Sequence, residues 1–495
     1  MKALIIAAGQ GTRLRSVVDT KPLASLLGLC LIERVILTAK KSGIKEFEIV
    51  VGYHGENIRE QLSDGKKYGV KIRYIQNDQW TRGNAISVLK ARDRFKESFV
   101  LLMADHNYDH RILNKLLKTK IKKDECILCV DKNPKDYLNI DDATKVLTVD
   151  HRIEVISKKL TDYNCIDTGI FICNPVIFDA LEQSISKGDE GLSGAISILA
   201  QRRKMRYMLL EDNFWIDVDD KTDKNNAELL ICNKLKKNTD GPISTILNRP
   251  LSLRLSKILL KTRITPNQIS VLSFVIGLVG ASSFFIGEYF YLVLGGILIH
   301  IHSIVDGCDG EVARLKLRQT KYGGWLDSVL DRYVDAIIVF GLVYGYWSIN
   351  GDITIWVLGF FAIIGSFLNS YTADKYDLNL KMSMSIGSHQ IRIGRDMRLL
   401  LITIGALTNQ IPIALIILAV MTNFEVLRRL VMFRNKLDDD MQTVNKEFTN
   451  KLDEDMQTVN KEFTNKLDED MQTVNKKFTN KLDENMQTVN KKFTN

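Results

Sequence analysis

Apolar positions divide the 495-residue chain into three regimes. Over the first ~230 residues, short apolar runs alternate with longer mixed stretches: Met1–Ala8, Phe47–Val51, Lys71–Ile75, Phe99–Met103 and Cys126–Val130. Runs of this length separated by helix-sized segments predict strands of an α/β sheet, with ligand at the carboxyl ends of the strands. The opening run is too short to act as a signal peptide.

From about Ile264 to Val431 apolar residues dominate. Six membrane helices are expected, at Gln268–Gly287, Phe290–Glu311, Gly323–Ile349, Thr354–Ala373, Arg398–Thr408 and Ile411–Arg428. Several approach the ~20 residues that a bilayer requires. Basic residues cluster at Arg254–Arg263, Arg314–Lys321, Lys375–Lys381, Arg392–Arg398 and Arg428–Lys436, whereas the loops at Gly287–Tyr289, Asn350–Asp352 and Asn409–Gln410 carry no Lys or Arg. The positive-inside rule then puts both termini in the cytoplasm of a multi-pass protein of the cell membrane.

The third regime, 436–495, is a repeat: KLDDDMQTVNKEFTN and three near copies. Its Leu, Met, Val and Phe recur at steps of 4, 3, 4 and 4. The mean step exceeds the 3.6 of a straight helix, so self-associating helices would coil right-handedly. A coiled coil is the leading expectation; a single solvated helix or a disordered tail is the alternative. Domain limits are therefore expected at 1–235, 236–263, 264–434 and 436–495. In the second segment Ile243–Lys261 mixes Leu and Ile with basic residues. It predicts an amphipathic helix on the membrane surface, or else a plain linker helix. Pro266 biases Thr265 away from helix, so the first span should begin there.

Seven cysteines form no paired framework, and Cys126 and Cys129 fall inside an apolar strand where core packing is the default. The net charge of +9 is read as membrane-adjacent, and no nucleic-acid motif is present.

Asp306, Asp309, Asp327 and Asp331 lie among the apolar runs. Carboxylates there need partners, and with no excess of Lys or Arg close in sequence, divalent cations are the natural ones. Asp306 and Asp309 are i, i+3 and Asp327 and Asp331 are i, i+4, so each pair shares a helix face. Two such faces together could hold two ions for displacement at phosphorus. Gly310 and Ala313 permit close approach, and Arg314 can fork onto a phosphate. The pattern D-x2-D-G-x2-A-R-x8-G-x3-D-x3-D, closed by Gly323, Asp327 and Asp331, resembles that of the CDP-alcohol phosphotransferase family. The resemblance implies that Asp306, Asp309 and Asp327 hold metal (Mg2+ or Mn2+) around a CDP diphosphate, and that Asp331 shares the second ion and takes the acceptor's proton. Lys375, Arg395 and Arg398 are candidates for an acceptor phosphate; positive-inside charge alone would also explain them. His302, one turn before Asp306, is expected to be structural.

In the first regime no third glycine completes G-x-G-x-x-G, and no P-loop is present. What stands is A-A-G-x-G-T-R-L followed by K-P-L, which resembles the sugar-phosphate nucleotidyltransferases. There a glycine loop, here Gly9 and Gly11, wraps a nucleoside triphosphate with backbone N–H groups. The resemblance assigns Arg13 and Lys21 to the phosphates and Asp105 to metal. It puts the second acidic site at Asp217, the better match, and Asp219. Asn84 and Asp167 fit substrate-binding positions, and Lys145 and Lys158 fit a sugar phosphate. Thr20 and Ala104 replace the family's usual proline and glycine without removing a functional group.

The order of the two motif sets, with LMADHNY at Leu102–Tyr108 and SYTADK at Ser370–Lys375, is similar to the bifunctional inositol-1-phosphate cytidylyltransferase and di-myo-inositol-phosphate phosphate synthase family. That implies CTP and inositol 1-phosphate as substrates, CDP-inositol as intermediate and a phosphorylated di-inositol as product. The apolar helices add the lipid bilayer as a partner, and a homodimer is expected. Two alternatives stay open: a synthase of inositol phospholipid, and a soluble half that only docks or regulates.

Overall fold

The computed structural model describes residues 1–14, 18–135, 137–211, 213–235, 244–380 and 394–493. Lys381 and Arg392 of the expected basic loops, Ile243 and most of the linker at 236–243 lie outside them. The described chain forms two compact units, Met1–Gly359 with Ser383–Leu415, and Phe360–Met382 with Ile416–Asn495.

The first unit opens with a nine-stranded mixed sheet: β1 (Lys2–Ala7), β2 (Glu46–Val51), β3 (Lys71–Gln76), β4 (Phe99–Met103), β5 (Cys126–Asp131), β6 (Lys145–Val149), β7 (Arg152–Ser157), β8 (Cys165–Cys173) and β9 (Met205–Leu209). Their order is β3-β2-β1-β4-β8-β5-β9-β7-β6. β1 runs parallel to β2 and β4, with Ile5 opposite Ile49 and Leu102. β8 turns antiparallel between β4 and β5. Burial follows from composition, since Ala3, Ile5, Val100 and Leu102 pack on one face and Leu4, Phe99 and Leu101 on the other. A sheet covered on both faces needs such unbroken apolar strands. Cys126 and Cys129 are free and buried in β5, as a core reading expects. Helix α1 (Leu31–Lys41) follows a small hairpin at Ser25–Leu26 and Leu29–Cys30.

Helix α2 (Arg249–Leu259) precedes the apolar helices. Its polar face is the buried one: Arg249, Ser252 and Ser256 pack inward, while Leu251 and Ile258 are exposed. The outward apolar side suits a membrane surface; the inward polar side was not foreseen. Next come α3 (Pro266–Phe284), α4 (Tyr289–Leu315), α5 (Lys321–Asn350), α6 (Thr354–Leu380), α7 (Arg395–Leu407) and α8 (Ile411–Phe493). Thr265 caps α3 through a Gln268 capping box, with Pro266 at its first turn. Within the first unit α4 packs against α2, α3 and α7. Gly280 and Gly295 let α3 and α4 approach so closely that a Cβ on Gly295 would lie 2.8 Å from the Gly280 carbonyl.

Among the described residues, four helices are long and apolar enough to cross a membrane, in Pro266–Phe284, Tyr289–Leu315, Thr354–Lys375 and Ile411–Asn435. The other two expected spans differ for separate reasons. α5 has 30 residues, but its amino-terminal half carries Asp327, Asp331, Arg332 and Asp335. α7 has only 13 residues, roughly 20 Å of helix against a ~30 Å core.

In the second unit Arg429, buried on α8, pairs with Glu425 at 3.1 Å and donates to the Asn369 carbonyl of α6. α8 continues without a break through the repeats to Phe493. The repeat's apolar side chains stand in solvent: Phe463 is 67% and Leu467 51% exposed.

Candidate active sites

In the soluble half, Gly9 and Gly11 follow β1. Gly11 has φ +61, and a Cβ there would come within 2.4 Å of the Lys21 side chain, so only glycine lets the loop close over Lys21. Lys21 Nζ lies 2.5 Å from both Asp105 and Asp219. Arg13 bonds Asp219 at 2.8 Å and Asp142 at 2.5 Å. Both expected phosphate cations thus sit on carboxylates. Asp105 follows β4, and the strand pair Trp215–Asp217 with His106–Tyr108 brings Asp217 opposite His106.

A cleft of about 430 Å³ is lined by Asn84, Asp105, Lys158, Asp167, Asp217 and Asp219. Asn84 accepts from the Leu192 N–H at 2.7 Å, and Asp167 from the Gly169 N–H at 2.8 Å. Lys158 donates to Asp142 at 2.9 Å. Lys145 instead donates to the Lys158 carbonyl and faces the Tyr163 ring, so it backs the cleft wall without lining it. Burial pushes Asp167 up to about 6, partly offset by its Gly169 hydrogen bond. Burial, with Asp219 and Asp105 nearby, also raises Asp217. It would raise Asp105 too, but Lys21 and His106 hold that carboxylate far below the ordinary range. Sequence reasoning missed Asp142 and His106. His106 had the signal of directly following Asp105; Asp142 had none.

In the membrane half the four signature aspartates divide across helices. Asp306 of α4 and Asp331 of α5 meet at Arg395, the first residue of α7, at 3.2 and 2.8 Å. Asp309 of α4 and Asp327 of α5 lie beside them and line a cleft of about 210 Å³ with Gly310, Ala313, Arg314 and Gly323. Ser270 donates to Asp309.

Besides any metal, the protein supplies its own cations to these carboxylates. Arg395 also bonds Asp335 through Nε at 2.9 Å, and Arg398 lies 3.5 Å from Asp335. Arg395 Nη2 donates to His302 Nε2 at 2.9 Å, which leaves the imidazole proton on Nδ1, facing the Ser273 carbonyl. His302 is thus held structurally, as expected. Asp335 was missed, although its i+4 step after Asp331 continues the acidic face. Lys375, exposed near the Tyr371 ring, belongs to the second unit.

The donor set fits a hard divalent ion in both halves. Carboxylate oxygens of Asp306 and Asp331 lie within 4.8 Å of each other, and Asp105, Asp217 and Asp219 border one cleft.

Fold and sites together define a two-domain transferase, a nucleotidyltransferase followed by a CDP-alcohol phosphotransferase of membrane type. The family pattern "Nucleotidyl transferase" matches residues 2–230, and "CDP-alcohol phosphatidyltransferase" matches 263–433. The chain is 35% identical over 431 residues to the bifunctional IPC transferase and DIPP synthase of Aquifex aeolicus, covering 86% of this chain and 96% of that protein. It is 33% identical over 436 residues to the protein of the same name from Rubrobacter xylanophilus, covering 87% and 96%. The solved inositol-1-phosphate CTP transferase of T. maritima is 25% identical with a TM-score of 0.43, covering 46% of this chain and 94% of that one. This chain belongs to the family of bifunctional IPC transferases and DIPP synthases.

Proposed function

We propose that the soluble half joins CTP and inositol 1-phosphate into CDP-inositol with release of pyrophosphate. The membrane half then transfers the phosphoinositol unit to a second inositol 1-phosphate, releasing CMP and giving phosphorylated di-inositol. The observation that carries this reading is the similarity over nearly the whole length of bifunctional relatives, with both motif sets present here.

In the first step the N–H groups of Gly9–Gly11, with Arg13 and Lys21, take the triphosphate. Lys21 and Arg13 exchange their present carboxylate partners for phosphate oxygens. Asn84 and Asp167 bind the inositol hydroxyls, and Lys158 its phosphate, with Lys145 behind it. Asp105 and Asp217, with Asp219 beside them, would hold Mg2+ or Mn2+. In the second step Arg314 takes the donor diphosphate at the small-residue surface of Gly310 and Ala313. Arg395, backed by Arg398, takes the acceptor phosphate. Asp331 accepts the acceptor's hydroxyl proton as that oxygen attacks the inositol-bearing phosphorus and the bond to CMP breaks. Asp306, Asp309 and Asp327, with Asp331, would hold the divalent ions, which when bound neutralise the diphosphate.

The positive-inside count supports six passes with both termini cytoplasmic. The exposed apolar stripe of α8 supports a coiled coil with a second copy of the chain. Membranes incubated with CTP and inositol 1-phosphate should yield CDP-inositol and then a water-soluble phosphorylated di-inositol, identified by mass. Product that partitions into organic solvent would favour lipid synthesis instead.

A further inference from the structure

The carboxyl end of α4 carries Asp306, Asp309 and Arg314, and three polar anchors hold its last turns. Glu311, fully buried, accepts from Arg249, Ser252 and Ser256 of α2 at 2.8, 2.6 and 2.7 Å. Lys316 donates to the Thr262 carbonyl at 3.3 Å. The third anchor comes from the other catalytic domain. Arg34 of α1 donates to the Leu315 carbonyl at 3.0 Å, and to those of Leu26 and Leu27 at 2.8 and 3.0 Å. A helix leaves its last carbonyls without intrahelical partners, and a cation at that end also opposes the helix dipole. Arg34 meets both needs while tying the hairpin that follows Lys21 to the end of α4.

Apolar contact completes the joint. Leu27, at the hairpin tip, is buried in one cluster with Leu235, Leu260, Cys308, Val312 and Leu315. Gly28, with φ +81, fits closely against Leu260. Arg34 and Arg314 line the same small cavity, and Arg314 also lines the cleft of Asp309 and Asp327. The residue that seats the soluble domain is thus next to the residue that faces the membrane site.

We propose that the soluble domain is a working part of the membrane active site, with Arg34 as a positioning residue that clamps the last turn of α4 and so orients Arg314 toward the donor diphosphate. This rests on the reading of Arg314 as a donor-phosphate ligand. The clamp acts through structure and not through the soluble domain's own chemistry, so the two activities can be separated by substitution outside both sites.

The test uses the full chain in detergent, with Arg34→Met and Arg34→Lys, supplied CDP-inositol and inositol 1-phosphate. Misplacing a substrate-positioning group by about 1 Å can cost up to ~100-fold. Arg34→Met should raise the KM for CDP-inositol about tenfold or more, with a smaller change in kcat and unchanged CTP-dependent pyrophosphate release. Arg34→Lys should recover part of the loss. Hydrogen exchange supplies a readout independent of substrate: the Lys316, Leu317 and Arg318 amides, bonded to Val312, Arg314 and Ala313, should exchange faster in Arg34→Met. If Arg34→Met does not fold, Leu27→Ser at the hairpin tip should give the same split. Wild-type KM together with wild-type exchange in the folded variant would overturn the clamp. A wild-type chain that ignores CDP-inositol would overturn the functional reading, while the exchange rates would still decide the clamp.

Discussion

Arg395 lies 2.8 Å from Asp331, and both side chains are largely withdrawn from solvent. Removing one member of such a pair leaves a buried charge uncompensated, so charge-neutral substitutions of matched size are the informative ones. Asp306 and Asp335 remain partners of Arg395 when Asp331 is changed.

Asp331→Asn keeps the side chain's size and one oxygen but cannot accept the acceptor's proton. Loss of a general base typically costs 10²–10⁴-fold in rate. Transfer should fall by that order while cytidylyl transfer continues and CDP-inositol accumulates, with donor affinity retained. Asp306→Asn or Asp309→Asn should weaken donor binding as well. Near wild-type transfer by Asp331→Asn would remove Asp331 as the base.

Lys21→Ala leaves Asp105 and Asp219 without their shared cation and the triphosphate without a counter-charge. CDP-inositol synthesis should be abolished. Supplied CDP-inositol should restore product in the same preparation; failure of that rescue in folded protein would contradict a two-step path.

Asp167 titrates near 6 in the folded chain, above its unfolded value of ~3.9. The folded state therefore holds more protons between these values. Its stabilising effect is complete below about pH 4 and is lost as pH rises through 6, up to about 3 kcal/mol. Asp167→Asn should flatten the stability profile over that window and raise Tm above pH 6, while weakening inositol 1-phosphate binding. An unchanged thermal-melt profile would mean that another group carries the slope.

A reporter placed after Asn350 should be extracellular, and reporters at Met1 and Asn495 cytoplasmic. A cytoplasmic signal at Asn350 would break the six-pass arrangement.

Ending the chain at Asn435 should leave both activities intact and lower the number of copies in the detergent-solubilised assembly, because it removes the exposed Leu, Met, Val and Phe stripe. Equal copy numbers for full and shortened chains, measured by light scattering, would argue against pairing through the tail.

Five of the nine sheet strands, four of the apolar helices and the carboxylate signature were legible in the sequence because they depend on local periodicity and spacing. Burial of β1 and β4 on both faces follows from unbroken aliphatic runs, and the placing of each aspartate pair on one helix face follows from 3.6 residues per turn. The partners of those groups were not legible, because they come from distant parts of the chain. Arg395 reaches Asp306 across 89 residues, Arg34 reaches Leu315 across 281, and Arg13 reaches Asp219 across 206. The polar inward face of α2 was hidden for the same reason: its serines look like solvent residues until Glu311 is packed against them. Side-chain chemistry was set by sequence, but which charges neutralise one another was decided only when the folded chain brought them within hydrogen-bond distance.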